Sequence, residues 1–365
     1  MKKILIITNL PSPYRVRFFD KLGEKADVTV LYYNRAEEDA ERNAAWFENG
    51  AGSHKAVTLN WRITFGKGKF LCADVKDWLV KPWDEIVVCG YSDLTVMYAI
   101  WYLRRKKIRF WLEVDGGLIR ENSGPKYRLK KSLICGANGW FSSGKVTTEF
   151  LVHYGARQEQ VYTYPFSSLT QEDILPMPVS EEEKRALRKS LGIPGKRMVL
   201  SVGQFVPRKG MDTLIQAAAK LEKDTTVCIV GGQPPEEYLA LQNRVGADNV
   251  MFVDFQKREA LARYYRAADV FALATREDIW GLVINEAMAY GLPVVTTNRC
   301  VAGMELVQDG QNGYVIPIED SAILAEKIIA VLQSDLVQMG EASLKAIRGY
   351  TIEAMAQAHE AAWNF

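Results

Sequence analysis

The residues of this chain best suited to chemistry lie in the stretch 276–295, which reads Arg-Glu-Asp-Ile-Trp-Gly-Leu-Val-Ile-Asn-Glu-Ala-Met-Ala-Tyr-Gly-Leu-Pro-Val-Val. The apolar run 270–273 leads into it as a buried strand does, residues 282–290 read as a helix ended by Gly291 and Pro293, and Val294 starts another strand. In open α/β sheets ligands sit outside the carboxyl ends of the strands, so the loop from Glu277 to Gly281 lies where a ligand is expected. The helix behind it aims its free N–H groups at the same place, which suits phosphate. Glu286 stands in that helix among Leu282, Val283, Ile284, Ala287, Met288 and Ala289. A carboxylate in such company needs a partner, which an Arg, backbone amides or a ligand can supply.

Two other phosphate chemistries are disfavoured. Residues 139–145, Gly-Trp-Phe-Ser-Ser-Gly-Lys, have the glycine and lysine spacing of a P-loop, but Val146 follows where magnesium needs a Ser or Thr hydroxyl. No Gly-x-Gly-x-x-Gly follows a predicted strand, which speaks against a dinucleotide-dependent dehydrogenase.

The elements that must position these residues follow from the apolar patterning. Short apolar runs at 4–8, 28–33, 86–89, 110–114, 140–142 and 161–164 alternate with helical patterns, and the second half repeats this at 199–202, 227–230, 250–253, 270–273, 294–296 and 314–316. That is the βαβα pattern of parallel, doubly wound sheets. The length of 365 residues allows two such domains, which we expect to span 1–170 and 171–349 and to face one another across a cleft. Pro176 and Pro178, ahead of the charged helix 181–189, mark the boundary region.

A content of 48% hydrophobic and 25% charged residues suits a soluble globular protein, and no apolar run approaches the roughly 20 residues of a spanning helix. The start, Met1-Lys2-Lys3 and then residues 4–7, is too short for a signal peptide and is ended by Pro11 and Pro13, so it reads as a first strand. Cys72, Cys89, Cys135, Cys228 and Cys300 are scattered without metal-ligand spacing, as buried thiols of a reducing cytoplasm would be. The net charge of +2 is unevenly divided: 26 Lys+Arg oppose 18 Asp+Glu in residues 1–170, and 20 oppose 26 in residues 171–365. Much of the basic excess lies in residues 104–131, where Glu113, Asp115 and Glu121 are the only acids. This run is either a solvated helix face or a contact for an anionic membrane surface. Nothing points to nucleic acid.

The stretch 276–295 resembles the signature of the retaining glycosyltransferases of family 4, the group 1 glycosyltransferases: a Glu, seven residues, then a second Glu. Here the second acid is Glu286 and the first position holds Asp278. The resemblance implies that Asp278 and the loop residues Ile279, Trp280, Gly281 and Leu282 hold the donor sugar, while Glu286 holds the ribose. Residues 201–210, Ser-Val-Gly-Gln-Phe-Val-Pro-Arg-Lys-Gly, are similar to the family's Gly-Arg-Leu, three residues, Lys-Gly element, whose Arg and Lys clamp the donor diphosphate. Lys209 matches, Gln204 stands at the Arg position after Gly203, and Arg208 is a second cation beside it. Fixed cations there stabilise the leaving diphosphate more in the transition state than in the ground state. By the same resemblance Gly231, in Val230-Gly231-Gly232-Gln233-Pro234, lies beside the nucleotide, and the block 252–256 with Phe255 meets the base. Further matches at Gly303, Glu305, Asp309, Gly310, Asn312 and Gly313 extend the resemblance over about 199–317.

The first half matches less sharply. Residues 9–15, with Tyr14 and Arg15, follow the first strand without the glycine pair of many relatives; Tyr14 and Arg15 are candidates for acceptor binding, or for a plain helix start. Residues 111–117 occupy the place of a functional His in some relatives, and here offer Glu113 or Asp115. His54, His153 and His359 lie outside all these motifs and read as surface or capping residues.

The family implies a GT-B fold whose last helix, residues 350–365, braces the first domain. It also implies transfer of a sugar from a UDP- or GDP-linked donor to a glycan or lipid-linked acceptor with retention of configuration, without metal or other cofactor, and with Asp278, Lys209 and Asp115 as the catalytic candidates. Assembly of bacterial capsule or lipopolysaccharide, in the cytoplasm or on the cytoplasmic face of the inner membrane, fits that expectation. A nucleotide-sugar-binding regulator without turnover, or a hydrolase or epimerase of the same fold, is the alternative.

Overall fold

A computed structural model describes residues 1–34, 52–65, 69–120 and 123–364. Glu121, counted among the acids of the basic stretch, lies outside them. The chain divides into two units, Met1–Ser168 with Tyr350–Phe365, and Leu169–Gly349.

In the first unit the strands are β1 (Lys3–Thr8), β2 (Asp27–Tyr32), β3 (Lys55–Thr58), β4 (Arg62–Thr64), β5 (Phe70–Cys72), β6 (Glu85–Cys89), β7 (Trp111–Val114), β8 (Gly139–Ser142) and β9 (Val161–Thr163). All but β4 and β5 form one sheet in the order β3-β2-β1-β6-β7-β8-β9, every pairing parallel. β4 and β5 pair antiparallel as a separate ribbon. Residues 4–7 of β1 are almost fully buried, because a parallel strand covered on both faces needs apolar side chains at every position rather than at alternate ones. One face carries the helices Val75–Leu79, Leu94–Lys106, Pro125–Ile134 and Lys145–His153, whose Val75, Val96, Ile100, Ile134 and Phe150 close the core over Leu5, Ile7, Val88 and Leu112. The last helix, Ile352–Ala362, packs on Pro13–Gly23 of the same unit.

The second unit has β10 (Arg197–Val202), β11 (Thr225–Val230), β12 (Val250–Val253), β13 (Val270–Leu273), β14 (Val294–Thr297) and β15 (Gly313–Ile316), all parallel, in the order β12-β11-β10-β13-β14-β15. Chain order therefore reverses between β10 and β13. That is the topological switch point, where the loops leaving two adjacent strands turn apart and open a crevice. The first unit has the same device between β1 and β6.

Several details differ from the sequence reading. β3 and the β4–β5 ribbon were not expected; β3 is a mostly exposed edge strand, Lys-Ala-Val-Thr, without the apolar run of its neighbours. Cys135 is exposed, while Cys72, Cys89, Cys228 and Cys300 are buried. His359 is neither surface nor cap: it is 1% exposed inside the first unit. Among the described residues no helix is long and apolar enough to cross a membrane.

Candidate active site

The loops that leave β10 and β13 are drawn together at the second unit's switch point. Gly210 is in the left-handed region at φ 63°, and a Cβ there would lie 2.0 Å from the carbonyl oxygen of Ala274, so only glycine admits this approach. Thr275 Oγ1 donates to the Arg208 carbonyl at 2.8 Å, and the Arg276 amide donates to the same oxygen at 2.7 Å. The Arg276 side chain completes the seam with two bonds to Asp212, of 3.0 and 2.6 Å, and one to Glu319 of 2.8 Å. Burial would raise the Asp212 carboxyl, but its bonds to Arg276 outweigh that and hold it below the usual range.

This seam brings Lys209 and Asp278 into contact. Lys209 Nζ donates to Asp278 Oδ2 at 2.6 Å, with the two side chains 12% and 11% exposed; Arg208, half exposed, stands 4.0 Å from the same oxygen. The Asp278 backbone is locked as well, its amide on the Arg299 carbonyl at 2.8 Å and its carbonyl on the Val301 amide at 3.2 Å. A cation and a carboxylate so held, in a crevice at strand ends, can divide a ligand between them: phosphate oxygens to Lys209, sugar hydroxyls to Asp278.

Beyond Asp278, Ile279 is 56% exposed, whereas Trp280 is 2% exposed and turned inward, its Nε1 donating to Asn285 Oδ1 at 2.9 Å. The Trp280 carbonyl is taken by the Ala302 amide at 2.8 Å and by Cys300 Sγ at 3.2 Å. Gly281, at φ 99°, turns the chain into the helix Leu282–Ala289. A Cβ there would meet Cys300 Sγ at 2.6 Å. The first turn of that helix carries the positive end of its dipole, although the Ile284 amide is already taken by the Gly281 carbonyl at 2.8 Å.

Glu286 does have a protein partner, the Tyr265 hydroxyl, which donates to Oε2 at 3.0 Å. Tyr265 is stacked on Tyr290 at 5.2 Å, and burial and then the Glu286 charge push its hydroxyl well above the usual range. At the neighbouring strand end Gly231 and Gly203 lie backbone to backbone, for a Cβ on Gly231 would fall 1.9 Å from the Gly203 carbonyl oxygen. Gln204 is half-buried, and Phe205 after it anchors the loop between Tyr238 and Phe252 at 5.2 and 5.6 Å. Phe255 is half-buried after β12, its amide on Asp254 Oδ1 at 2.7 Å.

The first-unit candidates form a different object. Arg15 is 3% exposed and pairs with both Glu113 and Asp115. The Tyr164 hydroxyl donates to Asp115 Oδ1 at 2.9 Å, and His359 Nε2 lies 3.2 Å from Glu113 Oε2 while its Nδ1 faces the Met355 carbonyl at 2.8 Å. Burial alone would raise the Glu113 carboxyl; Arg15 and His359 overcome it and hold the group at about 2. Asp115, with its side chain 26% exposed, is the member of the cluster that reaches solvent. Tyr14 is half-buried, edge-on to Phe166 at 5.7 Å. Lys145, of the P-loop look-alike, is exposed at the start of its helix.

Sequence reasoning missed Arg276, Asn285, Tyr265 and His359 as site-building residues. Asn285 and His359 carried a faint signal, each being a polar residue on an otherwise apolar helix face.

Comparison with known proteins agrees with this architecture. Residues 183–346 match the family described as glycosyl transferases group 1. The D-inositol 3-phosphate glycosyltransferase of Corynebacterium efficiens is 31% identical over 194 residues, 49% of this chain and 45% of that protein. The match thus spans about half the length of that relative. Sucrose-phosphate synthase from Thermosynechococcus elongatus has a similar structure, with a TM-score of 0.78 at 18% identity over 100% of this chain and 98% of that one. HepE of Anabaena, in complex with UDP-glucose, gives 0.73 at 19% identity over 100% of both chains. The fold is GT-B, built of two Rossmann-like units.

Proposed function

We propose that this chain, whose residues 183–346 belong to the group 1 glycosyl transferases, moves a sugar from a nucleotide-sugar donor to a glycan or lipid-linked acceptor with retention of configuration. The observation that carries the reading is the Lys209–Asp278 pair, 2.6 Å apart at the switch point and closed by the Gly210 approach. Breaking the glycosidic bond adds negative charge to the departing nucleoside diphosphate. Lys209, Arg208 and the first turn of Leu282–Ala289 supply fixed positive charge to it, so the reaction needs no metal on this reading. Asp278 takes hydroxyls of the donor sugar, Glu286 takes the ribose, and Gly203, Gln204, Gly231 and Phe255 line the nucleotide. The leaving phosphate itself accepts the proton of the incoming hydroxyl, on the face from which it departs.

The acceptor is assigned to the first unit, with Asp115 and Tyr14 as its contacts and Arg15 holding Asp115 in place. The exposed cations of residues 104–131 suit an anionic membrane surface or a lipid diphosphate, as in assembly of a cell-surface polysaccharide. The name of the Corynebacterium relative adds an inositol phosphate as a second acceptor to test.

Thermal shift across nucleoside diphosphates and then nucleotide sugars identifies the donor. Transfer is then assayed with inositol 3-phosphate and with lipid-linked saccharides, with and without EDTA. Stabilisation by one nucleoside diphosphate and EDTA-insensitive transfer are expected; a protein stabilised by none of them would end the proposal.

A further inference from the structure

The β4–β5 ribbon of the first unit is built inside out. Its register pairs Arg62 with Cys72, Ile63 with Leu71 and Thr64 with Phe70, and successive residues face opposite sides. The Arg62 and Cys72 side faces the unit: Cys72 is fully buried, its amide on Thr95 Oγ1 at 3.0 Å, and the Arg62 guanidinium lies 4.5 Å over the Phe70 ring and reaches the Tyr33 carbonyl at 3.0 Å. The other side carries Trp61, Ile63 and Phe65, which are 56%, 41% and 51% exposed. An antiparallel ribbon over a core ordinarily turns polar residues to solvent. A row of three large apolar side chains there departs from that pattern and needs a reason.

The rim of that row is cationic. Lys76 Nζ stands 5.5 Å from the Trp61 ring, and exposed Lys69 lies across from Phe65, whose amide donates to its carbonyl at 2.7 Å. Of the nearby acids, Asp74 is turned onto the amides of Asn60 and Trp61 at 3.0 and 3.3 Å, and Asp77 is exposed. The helix that receives the Cys72 amide, Leu94–Lys106, adds Trp101, 51% exposed, and ends in exposed Arg104, Arg105 and Lys106.

We propose that this outward face, Trp61, Ile63 and Phe65 rimmed by Lys69 and Lys76, seats the first unit in the interfacial region of an anionic lipid bilayer. Tryptophan and phenylalanine partition to headgroup depth, and lysine reaches past them to phosphate. Lysines beside an apolar row are complementary to a planar anionic surface, whereas a second copy of the chain would bring the same lysines against them. The inference goes beyond the transfer reaction and uses none of its residues.

Flotation of the full chain with vesicles of phosphatidylcholine, with and without phosphatidylglycerol, tests it. The wild type is expected to float with the anionic vesicles. The triple variant Trp61→Ser, Ile63→Ser, Phe65→Ser is expected to float about tenfold less, and Lys69→Glu with Lys76→Glu to lose flotation at low salt. Ile63→Glu alone is the second variant should the triple substitution disturb the fold. Flotation of Ile63→Glu and the triple variant at wild-type level overturns the proposal. So does a wild-type dimer that the same substitutions convert to monomer without changing flotation, since the occupant is then a second copy. Nucleoside diphosphate binding, measured without vesicles, reports separately on the transferase reading, and either result can fail alone.

Discussion

Each sheet has a charged cluster near its switch point, Arg15 after β1 with the acids of β7 and its following loop, and Lys209 after β10 with an acid after β13, yet the two are built to opposite specifications. Around Arg15 every charge is answered inside the unit: two carboxylates, a tyrosine hydroxyl and a histidine from the last helix close on one guanidinium that is 3% exposed. Around Lys209 the ion pair with Asp278 is mostly buried as well, its side chains 12% and 11% exposed, but half-exposed Arg208 stands 4.0 Å from the same carboxylate and opens the group to solvent. A buried network with all its members paired rigidifies, and removing one member leaves an uncompensated charge. A carboxylate shared by two cations, one of them half exposed, can exchange a partner for a ligand without being left unpaired. On the function proposed above, the difference assigns the first cluster chiefly to holding the fold and presenting Asp115, and the second to binding the donor.

The comparison breaks or sharpens at definite places. The largest effect is expected for Arg15→Ala, which strands Glu113 and Asp115 and destabilises the unit by about 3–5 kcal/mol; urea unfolding of the full chain measures it. Lys209→Ala, by contrast, leaves Arg208 within 4.0 Å of Asp278, so it is expected to lower the unfolding midpoint less than Arg15→Ala does and to lower transfer by about 10²–10³-fold. If Lys209→Ala unfolds the protein while Arg15→Ala spares it, the two roles are reversed.

Acid sharpens the contrast further. The Glu113 carboxyl is held at about 2, below its ordinary value of 4.5, so the stability it contributes is fully present above that ordinary value and is lost as pH falls through about 2. The depression corresponds to roughly 3 kcal/mol. Unfolding of the wild type and of Glu113→Gln is expected to differ by most at pH 6 and to converge towards pH 2. The smallest effect is expected for Tyr265→Phe, which removes the hydroxyl bonded to Glu286. It should change nucleotide affinity by about 1 kcal/mol, roughly fivefold, as calorimetry would show.

How much of this was legible in the sequence follows from where each signal resides. The parallel strands were readable because burial on both faces demands unbroken apolar runs, and Asp278, Lys209 and Glu286 stood out as candidates because their spacing matches a known signature. The ribbon β4–β5 escaped notice because its outward face is apolar, so burial was a poor guide to its pattern. β3 escaped because an exposed edge strand needs no apolar run. Arg276, Tyr265 and His359 bond partners 64, 21 and 246 positions away in the chain, and no local periodicity reports such a pairing. Arg15 looked like a cation offered to a ligand; only the folded arrangement reveals that two carboxylates converge on it.

The close approach at Gly210 has a bearing on how such a protein can diversify. Since even one methyl group there would collide with the backbone at Ala274, the span between the lysine and the aspartate cannot be retuned by substitution at that hinge. With the donor site as proposed, new donor preferences in a laboratory lineage arise at side chains such as solvent-facing Ile279, while the frame that sets the Lys209–Asp278 spacing stays constant.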